Sequence, residues 1–166
     1  MLSMQTRIAQ AGSEEGVAFR FGGQTGRSRD SHRLIHLAGR KTGFSTDGQA
    51  RVVETVSRAY FEEEKNITDK AVLVQAAVDA GVGIDAVEAR KWLDGEDGGA
   101  EVDREALEVK GKHINGVPHF TIQGKYVVEG AQETETFLEI FEKVETEEKE
   151  EKTEEKTEEK TEEKTK

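Results

Sequence analysis

Cysteine is absent from this chain of 166 residues, which also has one proline, 6% aromatic residues and no long apolar run. Without cysteine, these residues offer no disulfide, cysteine-ligated zinc, iron–sulfur cluster or thiol nucleophile. Lys and Arg number 24 against 35 Asp and Glu, which argues against general nucleic-acid binding, since that requires surplus basic groups. No apolar run approaches the roughly 18 residues of a membrane span. The opening residues, MLSMQTR, lack a secretory signal pattern, so the sequence predicts a cytoplasmic protein.

The C-terminal segment, residues 145–166, contains only Glu, Lys and Thr. Its 11 Glu and 6 Lys contribute −5 to the net charge of −11. Because the segment has no apolar side chain to offset the entropy of ordering, it is predicted to be a disordered tail. The four-residue TEEK repeat also places like charges at i and i+4, which opposes a helix. The tail is expected to extend the preceding helix by no more than a turn or two.

Residues 1–110 show mostly helical patterns separated by glycines. The clearest helix runs from about 49 to 64, where apolar residues recur with helical spacing. Ser28 and Thr68 are predicted to cap two further helices. Near residue 100 another helix begins, with Val102, Ala106 and Val109 spaced as one buried stripe. Other helices are predicted at about 2–10 and 84–93.

Toward the C-terminus the pattern changes from helix to strand. Residues 119–122 and 126–128 have β-type composition and flank Gly124, which supplies the positive φ of a tight turn. A last helix follows at about 133–144, so the class is α+β. Because a two-stranded ribbon is marginal alone, it is expected to pack on the helices or on strands from outside these residues.

Several segments in order resemble the DsbA-like thioredoxin-domain family, and within it the FrnE-like branch. The markers, which span most of residues 4–144, are 21–26 (FGGQTG), 31–37 (SHRLIHL), 60–69 (YFEEEKNITD), 116–120 (GVPHF) and 128–132 (VEGAQ). The resemblance implies a helical insertion at about 1–112 followed by a ββα portion at 113–144. It also implies that Val117 and Pro118 form the cis-proline loop, which contacts bound substrate chains.

The sequence departs from this family where the redox chemistry is done. A family member has a strand, a Cys-x-x-Cys helix and a second strand before the insertion, and the helix N-terminus stabilises the reactive thiolate. This sequence begins inside the insertion, so the fold is expected to be an incomplete thioredoxin-like one. No catalytic residue and no cofactor are predicted, and dithiol exchange is not expected from these residues.

Other site candidates have structural interpretations. His32 and His36 lie one helical turn apart, but Arg33 stands where a zinc-protease helix needs Glu, so no metal site is predicted. His113 and His119 flank the proline and are interpreted as loop and strand-edge residues. The cluster 62–64 (EEE) is interpreted as a solvated surface.

Three functional hypotheses follow, and their predicted partners include no nucleic acid and no membrane. The first is a DsbA-like protein of a thiol–disulfide oxidoreductase family, which is expected to be inactive because these residues lack the redox cysteines. The second is a non-catalytic remnant that binds a peptide or protein partner at the cis-proline surface. The third is a relative of the kappa-class glutathione transferases and hydroxychromene-carboxylate isomerases, which use glutathione and a serine.

Overall fold

The computed structural model describes residues 3–112, 114 and 116–163, with side chains as far as residue 150. The chain divides into two compact units, Met1–Glu108 and Val109–Lys166. Most described residues are helical, and the strands form one two-stranded antiparallel sheet, as expected for α+β. Among the described helices, none is long and apolar enough to cross a membrane.

The first unit is built from helices. They are α1 Met4–Glu14, α2 Arg29–Lys41, α3 Thr46–Phe61, α4 Lys70–Asp79, α5 Ala86–Asp94 and α6 Gly99–Gly111, the last of which continues into the second unit. Helices α2 to α5 surround one apolar core. Its largest fully buried apolar side chains are Leu34, Val52, Leu73 and Leu93.

The helix starts follow ordinary capping chemistry, although one of the two predicted caps, Thr68, is wrong. The hydroxyl of Ser45 accepts from the backbone N–H of Gly48 at the start of α3. Ser28 is the N-cap residue of α2, as predicted, but its side chain makes no cap bond; its carbonyl accepts from the Ser31 hydroxyl over 2.6 Å. The cap of α4 is Asp69, and the Thr68 hydroxyl donates instead to the side chain of Asn66.

The predicted apolar stripe of α6 is not buried. Val102 is half-buried, whereas Ala106 and Val109 are exposed. Helix α6 is tied to α2 mainly by charge: Arg29 donates to both carboxylate oxygens of Asp103 over 2.9 Å. This bidentate pair lowers the pKa of Asp103, chiefly through the hydrogen bond from Arg29.

The second unit consists of a hairpin and a long helix. Its strands are β1 His119–Ile122 and β2 Tyr126–Glu129, and helix α7 spans Thr134–Glu163. The predicted end of this helix near Val144 is therefore wrong by many residues. Glu and Lys are good helix formers, and Glu145 with Lys149 forms a favourable i, i+4 pair at 2.6 Å. The helix thus continues where the repeat suggested a disordered tail; residues 164–166 of that tail lie outside the described residues.

Candidate functional site: the outer edge of strand β1

The hairpin turn places two successive residues in the left-handed region. Gln123 has φ of 51° and Gly124 has φ of 67°, and the backbone N–H of Lys125 donates to the Ile122 carbonyl over 3.1 Å. Two positive φ values match the right-handed twist of the flanking strands. The sequence predicted this turn from Gly124 alone, and Gln123 adopts the same region without glycine's freedom.

One face of the hairpin packs toward α7. Phe120 stands opposite Val128 in the strand register, and Val128 is the one residue of this hairpin that is buried. The rings of Phe120 and Phe137 meet edge to face, with centroids 5.0 Å apart. Helix α7 therefore covers one side of the two-stranded sheet.

The opposite face of the hairpin carries polar groups and one exposed valine. His119 stands opposite Glu129, with 4.0 Å between the His119 Nδ1 and a Glu129 carboxylate oxygen. The hydroxyl of Thr121 lies 3.5 Å from the other ring nitrogen of His119. Val127 on this face is 57% exposed. His113, the second histidine considered with His119, lies outside the described residues.

Val117 and Pro118 lie directly before β1 on the surface. The peptide bond between them is cis, Val117 is 89% exposed, and Pro118 is also exposed. The carbonyl of Pro118 accepts from the Gly130 N–H over 2.8 Å, so this carbonyl faces β2. Backbone groups alternate direction along a strand. The N–H and C=O groups of His119 and Thr121 therefore face the outer edge, where no other described strand pairs with β1.

The two histidines weighed as metal ligands lie one turn apart on α2, in different surroundings. His32 is exposed, whereas His36 is half-buried and its ring meets that of Phe44, 5.7 Å between centroids. In the part of the chain that the structure describes, no three His, Asp or Glu side chains are grouped to hold a metal ion.

The carboxylates of 62–64 have a structural role that the sequence interpretation missed. Glu62 accepts from the Ala18 N–H over 3.2 Å, and Glu64 accepts from the Gly22 N–H over 2.7 Å. Between them, the Phe61 carbonyl accepts from the Arg20 N–H over 2.8 Å. The segment after α3 thus holds the segment after α1, while Glu63 and Glu64 stay exposed, in line with the solvated-surface interpretation.

Among the residues whose side chains are described, Arg33 is the most buried charged one, and the sequence interpretation missed it. The Arg33 side chain is 2% exposed, and its guanidinium donates to Asp30 and to the carbonyls of Trp92, Gly95 and Asp97. The sequence contains an indication of this burial, because Arg33 lies one turn before Leu37 and one turn after Asp30 on the apolar side of α2. These partners make Arg33 a structural residue.

Comparison with known proteins gives one family match. The family model described as DSBA-like thioredoxin domain matches residues 1–142, which is most of the chain and includes both the helical unit and the hairpin. No curated protein matches the sequence.

Proposed function

Because the chain belongs to the DSBA-like thioredoxin domain family, we propose that these residues supply a surface for binding extended chains and no dithiol chemistry. The family is one of thiol–disulfide oxidoreductases. The observation that carries the proposal is the open outer edge of β1, which begins at His119, two residues after the exposed Val117.

The edge has the chemistry that an extended polypeptide recognises. His119 and Thr121 direct their backbone donors and acceptors away from β2, at the spacing of a strand, and the exposed Val117 lies beside them. A peptide in the β conformation can add to such an edge through main-chain hydrogen bonds. The same geometry fits a strand contributed by a protein partner, as expected for a ribbon that has only two strands here.

The redox step requires groups that these 166 residues do not contain. Thiol–disulfide exchange proceeds by attack of a thiolate on a disulfide sulfur, and the chain has no cysteine. The sequence markers support placement in the FrnE-like branch, in which Val117 and Pro118 would hold the substrate-contacting loop. The strand and Cys-x-x-Cys segment of that branch have no counterpart in these residues. Cytoplasmic location stays a prediction from the sequence.

Binding to an unfolded chain tests the proposal. The probe is insulin B chain with alkylated cysteines, which cannot take part in disulfide exchange. Val117→Asp introduces a charge at the edge and is expected to weaken binding about tenfold, a loss typical of one important interface residue. Val87→Asp is the matched control, because Val87 is also exposed, at 78%, and lies on α5 in the first unit.

Equal affinity of the two aspartate variants would contradict the proposed edge, as would a wild-type chain that does not bind. A second variant, Thr121→Pro, removes an outward N–H while leaving the bonds toward β2 in place. It is expected to weaken binding with the hairpin preserved. In an insulin-reduction assay the wild-type chain should leave the rate at that of dithiothreitol alone, and acceleration would refute the absence of dithiol chemistry.

A further inference from the structure

Helix α7 continues well beyond its last apolar residue. Val144 is half-buried, and the residues after it are Glu, Lys and Thr only. In the TEEK repeat, Glu follows Glu and Lys follows Lys at i, i+4, so side-chain pairing within the repeat opposes the helix. An isolated helix of this composition is marginal in water, because the first turn is costly to form. Contacts outside the repeat that fix the preceding turns therefore add to the helix propensity of Glu and Lys in favouring the helical state.

The hairpin turn supplies three side-chain contacts just after Val144. Lys125 and the Tyr126 hydroxyl both donate to Glu147, over 2.5 and 2.7 Å, and the Gln123 amide donates to Glu148 over 3.1 Å. We call these five side chains the hairpin clasp. They fix one turn of α7 against the end of the hairpin.

The clasp is the second of two attachment points between the hairpin and α7. The first is the contact of Phe120 with Phe137. Phe137 and Glu147 are ten residues apart, which corresponds to about 15 Å along a helix axis. Attachment at both points holds nearly three turns of helix in register with the hairpin. The backbone after Glu147 then extends an existing helix, which costs far less than nucleating a new one.

We propose that the hairpin clasp is a salt-sensitive switch that sets the length of α7, extending the helix into the repeat when closed and releasing the repeat when open. The clasp is suited to this role because its charges are accessible: the Lys125 side chain is 60% exposed and that of Glu147 is 39% exposed. Salt screens such pairs strongly, since the Debye length falls to about 3 Å at 1 M. The apolar contact at Phe137 is not weakened in this way.

The experiment measures the helical population of residues 148–156 from ¹³Cα chemical shifts of the full chain. Glu147→Gln removes the charge at the centre of the clasp. Glu150→Gln is the matched control, because it removes the same charge nearby and Glu150 has no hydrogen bond or ion pair among the described residues. We expect Glu147→Gln to lower the helical population of 148–156 about twofold, and Glu150→Gln to leave it near that of the wild type.

Two further measurements keep the proposal falsifiable. Lys125→Gln opens the clasp from the hairpin side and should lower the same population, as should 1 M NaCl on the wild type. The amide shifts of β1 and β2 report whether the hairpin itself stays folded. Equal helical populations in the 147 and 150 variants would overturn the proposal. So would a wild-type chain that is not helical at 148–156 in low salt.

Discussion

Arg33 and Trp92 donate hydrogen bonds to each other's backbone carbonyl. The Arg33 Nη2 lies 2.7 Å from the Trp92 oxygen, and the indole Nε1 of Trp92 lies 3.0 Å from the Arg33 oxygen. Because α5 ends at Asp94, the carbonyls of Trp92 and Gly95 lack partners within their own helix. The guanidinium of Arg33 satisfies both, so α2 supplies the C-terminal cap of α5.

Replacing Arg33 should therefore destabilise the first unit strongly. Arg33→Met removes the buried donor to three carbonyls and the partner of Asp30, and we expect a loss of about 3 kcal/mol in the free energy of unfolding. Urea unfolding followed by Trp92 fluorescence measures it. Arg51→Met is the control, because Arg51 is 55% exposed and pairs only with Asp47, and its effect should stay within about 0.5 kcal/mol. Similar losses in both variants would refute the capping role.

Gly48 is required by the close approach of Thr42. A Cβ added at Gly48 would lie 2.7 Å from the Thr42 Cβ and would also be too close to the Oγ1 and Cγ2 atoms of Thr42. Although alanine gains about 1 kcal/mol over glycine within a helix, the clash should cost more, so Gly48→Ala is expected to lower stability by about 1 kcal/mol net.

A double-mutant cycle tests this explanation of Gly48. In a Thr42→Gly background the obstructing side chain is gone, and Gly48→Ala should become neutral or stabilising. Urea unfolding of the four proteins by Trp92 fluorescence gives the coupling. If Gly48→Ala costs the same in both backgrounds, Thr42 is not the reason for the glycine.

The hairpin clasp should respond to pH at both ends of the scale. The hydrogen bond from Lys125, then that from Tyr126, lowers the pKa of Glu147 below its ordinary 4.5. The hydrogen bond to Glu147 raises the pKa of Lys125 above its ordinary 10.5. Because the pKa of Glu147 is lowered, its carboxylate contributes stability to the folded state above pH 4.5. That contribution is lost as the pH falls through the shifted pKa. Because the pKa of Lys125 is raised, its ammonium group contributes stability to the folded state below pH 10.5. That contribution is lost as the pH rises through the shifted pKa.

The clasp is therefore fully charged between about pH 4.5 and 10.5. The carboxyl ¹³C shift of Glu147 should titrate with a midpoint below 4.5 in the wild type and nearer 4.5 in Lys125→Gln. The hydrogen bond to Glu147 likewise raises the pKa of Tyr126, since a carboxylate acceptor favours the neutral phenol. An unchanged Glu147 midpoint in Lys125→Gln would contradict the contact.

Local patterns predicted the elements of this fold better than the contacts between them. Helical spacing predicted a buried face of α3 made of Val52, Val53, Val56, Ala59 and Tyr60. The structure buries Val52, Val56 and Ala59, whereas Tyr60 is half-buried and Val53 is exposed. Gly124 correctly marked the turn of the hairpin. These features depend on neighbouring residues and on the 3.6- or 2-residue period, so a single sequence contains them.

Features that depend on distant partners were not predicted. Arg33 is buried because carbonyls about 60 residues later need its donors. Glu62 and Glu64 accept hydrogen bonds from backbone N–H groups more than 40 residues before them. The length of α7 was underestimated because the hairpin contacts at Glu147 cannot be inferred from the repeat itself. The β1 edge was anticipated through the family resemblance, whereas its open backbone groups required the register of the strands.

The binding surface at β1 is tested most directly by amide mapping. The ¹⁵N-labelled chain is titrated with alkylated insulin B chain, and the shift of each assigned amide is followed. Strand addition at the outer edge predicts the largest changes at His119 and Thr121, whose N–H groups face outward, and smaller changes at Phe120 and Ile122, which face β2. Changes centred on the helices of the first unit, or no changes at all, would contradict the account.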